Sequence, residues 1–532
     1  MVSRTRRILI YHPFLFACYA VLGMYARNSQ QVPVQWVIRP LLILLILVSL
    51  IYSLLRRKTS EAQYAAFVVT LAIFWFFLGH FQRMLYERSE LWGTFYGICI
   101  AFMIWTVPLV LLGSPWAWRQ IRNPHLVTSS LNLTSMFVLL IPVFVTGGSV
   151  IQTILHRPLY RAVSAMGSPV HIEAQQTQPD IYLIIVDGYG REDFLQEGYG
   201  YDNTRFVDYL KESGFYLADE STANYPQTLL SLSSMLNFQY LNEYVEPLKD
   251  RDDRTVLYEL VQHSSLRRLL DSQGYTFIAL PSPSLATQIR DADIYFSLKS
   301  FDINEFEDSL LSATVLGVGA EAAGAELSVM GYELHRDSID FALAKLQDIP
   351  QIPGPKFIFA HIMLPHPPFV FDRDGNAISP ARPYTMLDGS LCPGTVQEYK
   401  QGYTDQVTFL NRRLITIVGA ILEQSENPPI IILQGDHGAG AFFNFVELDK
   451  SCLCERFAIL NAYYFPDQDY RSLYSSITPV NSFRVILNQY FGADLDMLED
   501  RSYYASWSAP YRFIDVTGEL DRPCLVPGTE MH

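Results

Sequence analysis

The stretch Pro429-Ile430-Ile431-Ile432-Leu433-Gln434-Gly435-Asp436-His437-Gly438 decides the fold. Four consecutive apolar residues, three of them β-branched, follow a Pro-Pro break. That pattern predicts a buried strand of a parallel sheet, apolar on both faces. The strand runs into Gly-Asp-His-Gly, and ligands of open α/β sheets bind beyond the carboxyl ends of the strands. Asp436 and His437 set a hard oxygen beside an imidazole nitrogen, a pairing that suits a divalent metal. Taken alone, the same residues also read as a turn in which Asp436 caps a helix and His437 is merely polar.

Two more stretches decide between these readings. Ile181-Tyr182-Leu183-Ile184-Ile185-Val186 is a second apolar strand and ends in Asp187-Gly188. Lys356-Phe357-Ile358-Phe359-Ala360 is a third and ends in His361, with Pro365-His366-Pro367-Pro368 just beyond. Three apolar strands thus deliver metal-type or acid/base residues at one sheet edge, as a single site assembled from distant sequence would require.

Outward from these strands, the head alternates strand and helix. Asp202/Asn203 can cap a helix ending before Gly214, and Ser264 or Ser265 can cap Leu266–Ser272, followed by a strand at Tyr275–Leu280. Leu334–Leu346 precedes the Lys356 strand, Gln397–Glu423 precedes the Pro429 strand, and Pro479 starts a helix over Asn481–Tyr490. The expected architecture is an α/β head with a mainly parallel sheet covered by helices. There is no internal repeat, no Gly-x-Gly-x-x-Gly loop and no P-loop.

The N-terminal part differs. Of the 532 residues 49% are hydrophobic and 17% charged, a balance that leans toward a membrane protein. Five apolar segments, roughly Ile8–Tyr25, Val34–Leu55, Tyr64–Phe81, Trp92–Leu112 and Leu131–Leu155, predict an α-helical multi-pass membrane domain over residues 1–155. His12 and Pro13 interrupt the first, and no small-residue cleavage site before Arg27 marks it as a signal peptide. The basic residues Arg4, Arg6, Arg7, then Arg56, Arg57, Lys58, then Arg119 and Arg122 fall on one side if every segment spans. Arg27, Arg83 and Arg88, the last two beside Glu87 and Glu90, fall on the other. The positive-inside rule then puts the N-terminus in the cytoplasm and everything after Leu155 outside the plasma membrane. A polar linker at 156–178 leads to a head at 179–532.

Charge supports this division. Residues 1–155 carry 12 Lys/Arg against 3 Asp/Glu, and the rest carry 27 against 51. So acidic a head argues against a nucleic-acid partner. Cys392, Cys452, Cys454 and Cys524 lie in the head, where disulfides are permitted. Their pairing stays open, although Cys452 and Cys454 are too close to pair easily with each other.

A nucleophile is sought in Ser221-Thr222-Ala223-Asn224-Tyr225-Pro226-Gln227-Thr228-Leu229-Leu230-Ser231, a hydroxyl-rich loop turning into a helix near Thr228. A hydroxyl at a helix N-terminus meets free N–H groups and the positive dipole end, which favour an anionic substrate. A bound metal would activate that hydroxyl. The plainer alternative makes Thr228 an N-cap and the serines helix packing.

With these residues in hand, the chain resembles the alkaline phosphatase superfamily. It is most similar to membrane-anchored sulfatase-like proteins of the lipoteichoic acid synthase and phosphoethanolamine transferase type. The resemblance covers the whole layout of a five-helix anchor and an extracytoplasmic sulfatase-like head. It rests on Ile-Val-Asp187-Gly, Thr228-x-x-Ser231-x-x-x-Met235, His361-x-x-x-Pro-His366-x-Pro and Gly-Asp436-His437-Gly. It implies that Asp187, Asp436 and His437 hold one divalent ion, with Thr228 completing the set and attacking as nucleophile through a covalent phospho-threonine. It implies that His361 and His366 contact substrate or protonate the leaving group, His366 being favoured, and that Asn224 lies near the anion. Ordinary sulfatases carry Cys-x-Pro-x-Arg, where this chain has Asn224-Tyr-Pro226-Gln-Thr228, so formylglycine chemistry is not expected. Asp405 lacks a histidine partner for a second metal, and Gly188 stands where sulfatases have a second acid.

The expected activity is therefore metal-dependent transfer or hydrolysis of a phosphoryl group of a membrane lipid or envelope glycopolymer. Two alternatives are a sulfuric or phosphoric ester hydrolase on soluble substrates and a catalytically silent, membrane-anchored binding protein. The donor set accepts Mn²⁺, Mg²⁺, Ca²⁺ or Zn²⁺.

Overall fold

The computed structural model describes residues 9–29, 32, 34–59, 61–79, 95–165, 170, 172, 178–242, 245–249, 251–298, 304–322, 331–379, 384–522 and 524. Contacts divide the chain into two units. One comprises residues 1–157 with 301–331, and the other residues 158–300 with 332–532.

The first unit is helical: His12–Asn28, Ile38–Thr59, Ala62–Phe76, Phe95–Gly113, Pro115–Gln120, the part of Pro124–Ala165 up to Arg157, Glu305–Ser312 and Val315–Ala322. The stretches Val34–Thr59, Tyr96–Gly113 and Pro124–Gly148 are long and apolar enough to cross a membrane, and Ala62–Phe76 is apolar but shorter. Pro13 falls in the first turn of its helix, where the missing N–H costs nothing. His12 is buried with its Nδ1 2.7 Å from the Thr70 hydroxyl, and its backbone N–H donates to Asn132 (3.0 Å). The apparent break in the first segment is therefore an internal polar tie. Residues 156–165, expected as linker, continue the last helix. Residues 301–331, expected within the head, group with this unit: Phe306, Leu310 and Ala313 pack with Val21, Met24 and Tyr25, and Glu307 pairs with Arg39. Arg4, Arg6, Arg7, Arg83, Glu87, Arg88 and Glu90, used above for orientation, lie outside the described residues, as do 92–94 of the fourth segment and most of 166–177.

The second unit is an α/β head. In chain order its strands are β1 (Ile181–Val186), β2 (Tyr216–Leu217), β3 (Thr276–Ala279), β4 (Ile294–Tyr295), β5 (Lys356–Ile362), β6 (Ile430–Gln434), β7 (Asn461–Tyr464) and the separate hairpin β8 (Tyr503–Ser506) and β9 (Ala509–Asp515). The main sheet has the order β2-β7-β6-β1-β5-β3-β4. β6, β1, β5, β3 and β4 run parallel, and β7 pairs antiparallel with β6 and β2 at one edge.

Strand alternation sends β1 to both faces. Tyr182, Ile184 and Val186 pack under the helices Tyr332–Leu346 and Val396–Gln424, while Ile181, Leu183 and Ile185 meet Thr228–Leu236 and Pro479–Phe491. Both faces being covered, every β1 residue is apolar and fully buried, each large side chain contributing about 1.5–3 kcal/mol. Of the caps expected from sequence, Ser264 accepts from the Arg267 N–H, while Asn203 is the N-cap residue but makes no side-chain cap bond; Thr395 with Glu398 forms a capping box on the long helix that sequence reading did not name.

The cysteine pairing left open by sequence is Cys452 with Cys524, and Cys392 and Cys454 stand outside that disulfide. Peptide mapping without reductant is expected to recover a Cys452–Cys524 link, with Cys392 and Cys454 alkylated. Cys524→Ser is expected to lower the stability of the head by roughly 2–4 kcal/mol, while Cys392→Ser leaves it within about 0.5 kcal/mol. A Cys392-containing crosslink would contradict this pairing.

Candidate functional site

The central register sets the site. Ile185 stands opposite His361 on β5 and Gln434 on β6, so the three strands finish nearly level. Asp187 follows directly on β1, and Asp436 and His437 follow β6. Their ligand atoms lie within 4.8 Å of one another, and all three residues are buried. His437 Nε2 is 3.5 Å from Asp187 Oδ1 and 3.4 Å from Asp436 Oδ2.

Backbone geometry holds these groups in place. Gly188 has φ +76°, which turns the chain so that its N–H donates to Asp436 Oδ1 (3.0 Å). Gly438 lies against the Glu455 and Ala458 carbonyls, where any Cβ would collide. His437 Nδ1 lies 2.9 Å from the Gly438 carbonyl, which selects the tautomer with Nδ1–H donating and the Nε2 lone pair toward Asp187 and Asp436.

The donor set fits a divalent cation. Among the described residues, Asp187 Oδ1 and Asp436 Oδ2 are buried without a hydrogen-bond donor, which is costly unless a cation meets them. Burial alone pushes the Asp187 carboxyl up, but His366 and then His361 outweigh it and hold it well below the usual carboxylate range. Burial, then the Arg456 charge, pushes the His437 imidazole down, so it stays a neutral ligand. A second set of metal-capable atoms, on Cys452, Cys454 and Cys524, has two of its three sulfurs joined in the disulfide.

Thr228 is the first residue of the helix Thr228–Leu236, and its Oγ1 is 3.3 Å from His437 Nε2. Gln227, not Thr228, is the N-cap residue, so the hydroxyl is not spent on capping. The remaining expected residues separate. His366 donates its backbone N–H to the Asp187 carbonyl (3.1 Å). Its Nδ1 meets the Pro367 carbonyl, and its Nε2 is 3.8 Å from Asp388 Oδ2. His361 sits in the strand behind Asp187: its Nε2 is 3.1 Å from Asp187 Oδ2, and its Nδ1 faces the hydroxyls of Thr287 (2.8 Å) and Ser282 (3.2 Å). Asn224 is engaged elsewhere. Its amide donates to the Arg501 carbonyl (2.8 Å) and accepts from the Val480 N–H (2.8 Å), tying the loop to the scaffold. Asp405 pairs with Gln401 on its own helix and lies 3.6 Å from Arg373, as a surface residue would.

Sequence reading passed over Arg456. This fully buried guanidinium donates to the Pro226 carbonyl (2.8 Å), to Asp388 and to the Gly438 carbonyl (3.3 Å), and its Nη2 lies 3.1 Å from His437 Nε2. The rings of Phe443 and Phe445 lie 5.2 and 5.1 Å from it. It joins the metal-type cluster to Asp388, whose other oxygen accepts from Tyr399 (2.7 Å). Burial raises the Asp388 carboxyl, but Arg456 above all holds it well below its ordinary range. A charged pair, Glu455-Arg456, directly before the apolar Phe457-Ala458-Ile459-Leu460 was the available signal.

A family model described as Sulfatase matches residues 179–483. No curated protein matches. Similar solved structures include the C-terminal periplasmic domain of EcEptC from Escherichia coli, at 13% identity over 66% of this chain and 96% of that one, with TM-score 0.43. The C-terminal periplasmic domain of phosphoethanolamine transferase EptC from Campylobacter jejuni is similar at 12% identity over 63% and 94%, with TM-score 0.38. The soluble domain of lipooligosaccharide phosphoethanolamine transferase A from Neisseria meningitidis is similar at 11% over 60% and 90%, with TM-score 0.35.

Glu455 gives a pH test of the wall around Arg456. Burial pushes its carboxyl up to about 7, although the Tyr199 hydroxyl and the Phe442 N–H (both 2.7 Å) oppose the rise. A carboxyl raised on folding binds more protons folded than unfolded, so stability falls as pH rises from about 4.5 to about 7. Thermal denaturation of Glu455→Gln and the parent is expected to show the variant gaining on the parent from pH 5 to pH 8, by on the order of 3 kcal/mol. A gap independent of pH would contradict it.

Proposed function

The chain belongs to the sulfatase family, and from that premise we propose that this sulfatase-like enzyme transfers or hydrolyses a phosphoryl group of a membrane lipid or envelope glycopolymer through a covalent Thr228 intermediate. The observation that carries the reading is Thr228 Oγ1, at a helix N-terminus and 3.3 Å from His437 Nε2 of the buried acidic cluster. Asp187, Asp436 and His437, with Thr228, hold one divalent ion, which when bound lowers the pKa of an oxygen nucleophile and offsets anionic charge.

The chain's own groups account for the rest. Free N–H groups of the first turn of Thr228–Leu236 and the Arg456 guanidinium favour an anion in front of Thr228. Thr228 Oγ1 bonds to phosphorus as its proton leaves to solvent, and the ester P–O bond breaks. His366, whose Nε2 lies 3.8 Å from Asp388 Oδ2, protonates the departing alcohol oxygen. Water or an acceptor hydroxyl then bonds to phosphorus, the Oγ1–P bond breaks, and the threonine regains a proton. His361 acts at one remove, by holding Asp187 in place through Nε2. A threonine in place of the formylglycine precursor supports phosphoryl over sulfuryl chemistry.

The helical unit supports a membrane substrate. In this reading residues 1–155 cross the membrane five times, with Arg56, Arg57, Lys58, Arg119 and Arg122 on the cytoplasmic side and the head outside. The Cys452–Cys524 disulfide supports an oxidising compartment for the head.

Intact-mass spectrometry tests the reading. Full-length protein loaded with Mn²⁺ or Zn²⁺ and incubated with a phospholipid mixture is expected to gain a phosphoryl-type adduct, absent in Thr228→Ala, whose mass identifies the group transferred. Asp436→Asn is expected to lose the bound metal as well as the adduct. A protein that gains no adduct and retains no metal would be a binding protein instead.

A further inference from the structure

The loop that carries His366 has little means of holding itself. In Pro365-His366-Pro367-Pro368 only His366 has a backbone N–H, and all four residues are buried. Buried carbonyls need donors, which such a segment cannot supply. The His366 N–H is itself committed to the Asp187 carbonyl (3.1 Å). Four further ties come from one side chain, Gln406.

Gln406 lies on the long helix Val396–Gln424 and is fully buried. Its Nε2 donates to the carbonyls of Pro365 (3.2 Å) and His366 (3.3 Å). Its Oε1 accepts from the N–H groups of Val370 (2.7 Å) and Phe371 (3.3 Å). A primary amide has two N–H donors and two acceptor lone pairs, so each is used. Two carbonyls at one end and two N–H groups at the other admit one orientation of the amide. Its helix neighbours Val407, Leu410 and Leu414 belong to the apolar core, where a polar side chain is costly unless so satisfied. All four of these partners lie in the loop of His366.

Residues one and two turns earlier hold the neighbouring loops in the same way. The Tyr403 hydroxyl donates to the Gly188 carbonyl (2.8 Å) and accepts from the Gly190 N–H (3.0 Å), fixing the turn after Asp187. The Tyr399 hydroxyl donates to Asp388 Oδ1 (2.7 Å) and accepts from the Gly440 N–H (3.0 Å). Positions 399, 403 and 406 share one helix face. Each fixes a different loop of the site, and Gln406 is the one that reaches His366.

We propose that Gln406 is the positioning residue for His366, setting its imidazole for proton transfer to the departing oxygen. The proposal rests on the reading of His366 as the proton donor.

Leaving-group dependence tests it. Full-length protein in detergent, loaded with Mn²⁺, is assayed with 4-nitrophenyl methyl phosphate, a good leaving group that needs no proton. Phenyl methyl phosphate, a poor one that does, is the comparison. His366→Asn is expected to lose about tenfold more kcat/KM on the phenyl ester than on the nitrophenyl ester. Gln406→Met, which keeps the length and removes all four bonds, is expected to reproduce that split while retaining bound Mn²⁺ like the parent. Gln406→Glu keeps the acceptor and lacks the paired donors, and it carries the comparison if Gln406→Met does not fold. Where His366→Asn shows the split, equal loss on both esters or loss of Mn²⁺ in a folded Gln406 variant would overturn the proposal. Hydrogen–deuterium exchange reads the clamp without turnover. The amides of His366, Val370 and Phe371 are expected to exchange about tenfold faster in the Gln406 variants, with Gly188 and Gly190 unchanged. Tyr403→Phe is expected to do the reverse. A parent that turns over neither ester, or His366→Asn without a split, would defeat the proton-donor reading, and exchange alone then decides. Unchanged exchange at 366–371 would overturn the positioning role as well.

Discussion

Parallel pairing of β1 between β5 and β6 is the constraint on which the site depends. Because Ile185 faces both His361 and Gln434, three strands far apart in the chain end at one level. Asp187 emerges from the middle strand, and Asp436 and His437 from its neighbour. A slip of one residue would turn β1 inside out. Both faces are packed: Ile184 and Val186 lie under the long helix, and Leu183 and Ile185 lie under Thr228–Leu236. The same packing that fixes the register also docks the helix whose first residue is Thr228. Core and site are in this sense one structure.

Charge burial follows from that arrangement. Two carboxylates and an imidazole held out of water are expensive alone. The protein offsets part of the cost with the Gly188 N–H donating to Asp436 and with the Arg456 charge beside the cluster, and the His361 ring lies 3.1 Å from Asp187 Oδ2. It leaves one oxygen on each carboxylate without a donor. Those two oxygens and the His437 lone pair converge, which is the arrangement a cation would complete. Asp388 and Arg456 extend the same logic outward, each neutralising the other in a wall of aromatic rings.

Much of this was legible in sequence because it is local. β1, β5 and β6 are uninterrupted apolar runs, and Gly-Asp-His-Gly, Asp187-Gly and Pro-His366-Pro-Pro punctuate their ends. Helix starts at Ser264 and Pro479 follow from a serine cap and from the fit of proline to a first turn. What escaped is non-local. β2 and β4 are two residues each and exist only through their neighbours. Asp388 lies in a loop without periodicity, and Arg456 reads as a surface charge until Pro226, Gly438 and Asp388 surround it. Asn224 has a sequence position beside the nucleophile, but Val480 and Arg501, far along the chain, claim its amide. His361 likewise has the right spacing for catalysis, while the hydroxyls of Ser282 and Thr287 hold it behind Asp187.

The central claim is a single cation held by Asp187, Asp436 and His437 next to Thr228. Anomalous diffraction from crystals of the protein grown with Mn²⁺ or Zn²⁺ tests it most directly. One peak is predicted in the head, within coordination range of Asp187 Oδ1, Asp436 Oδ2 and His437 Nε2. An anomalous difference map with no peak there, or a peak only at Cys452, Cys454 and Cys524, would contradict it.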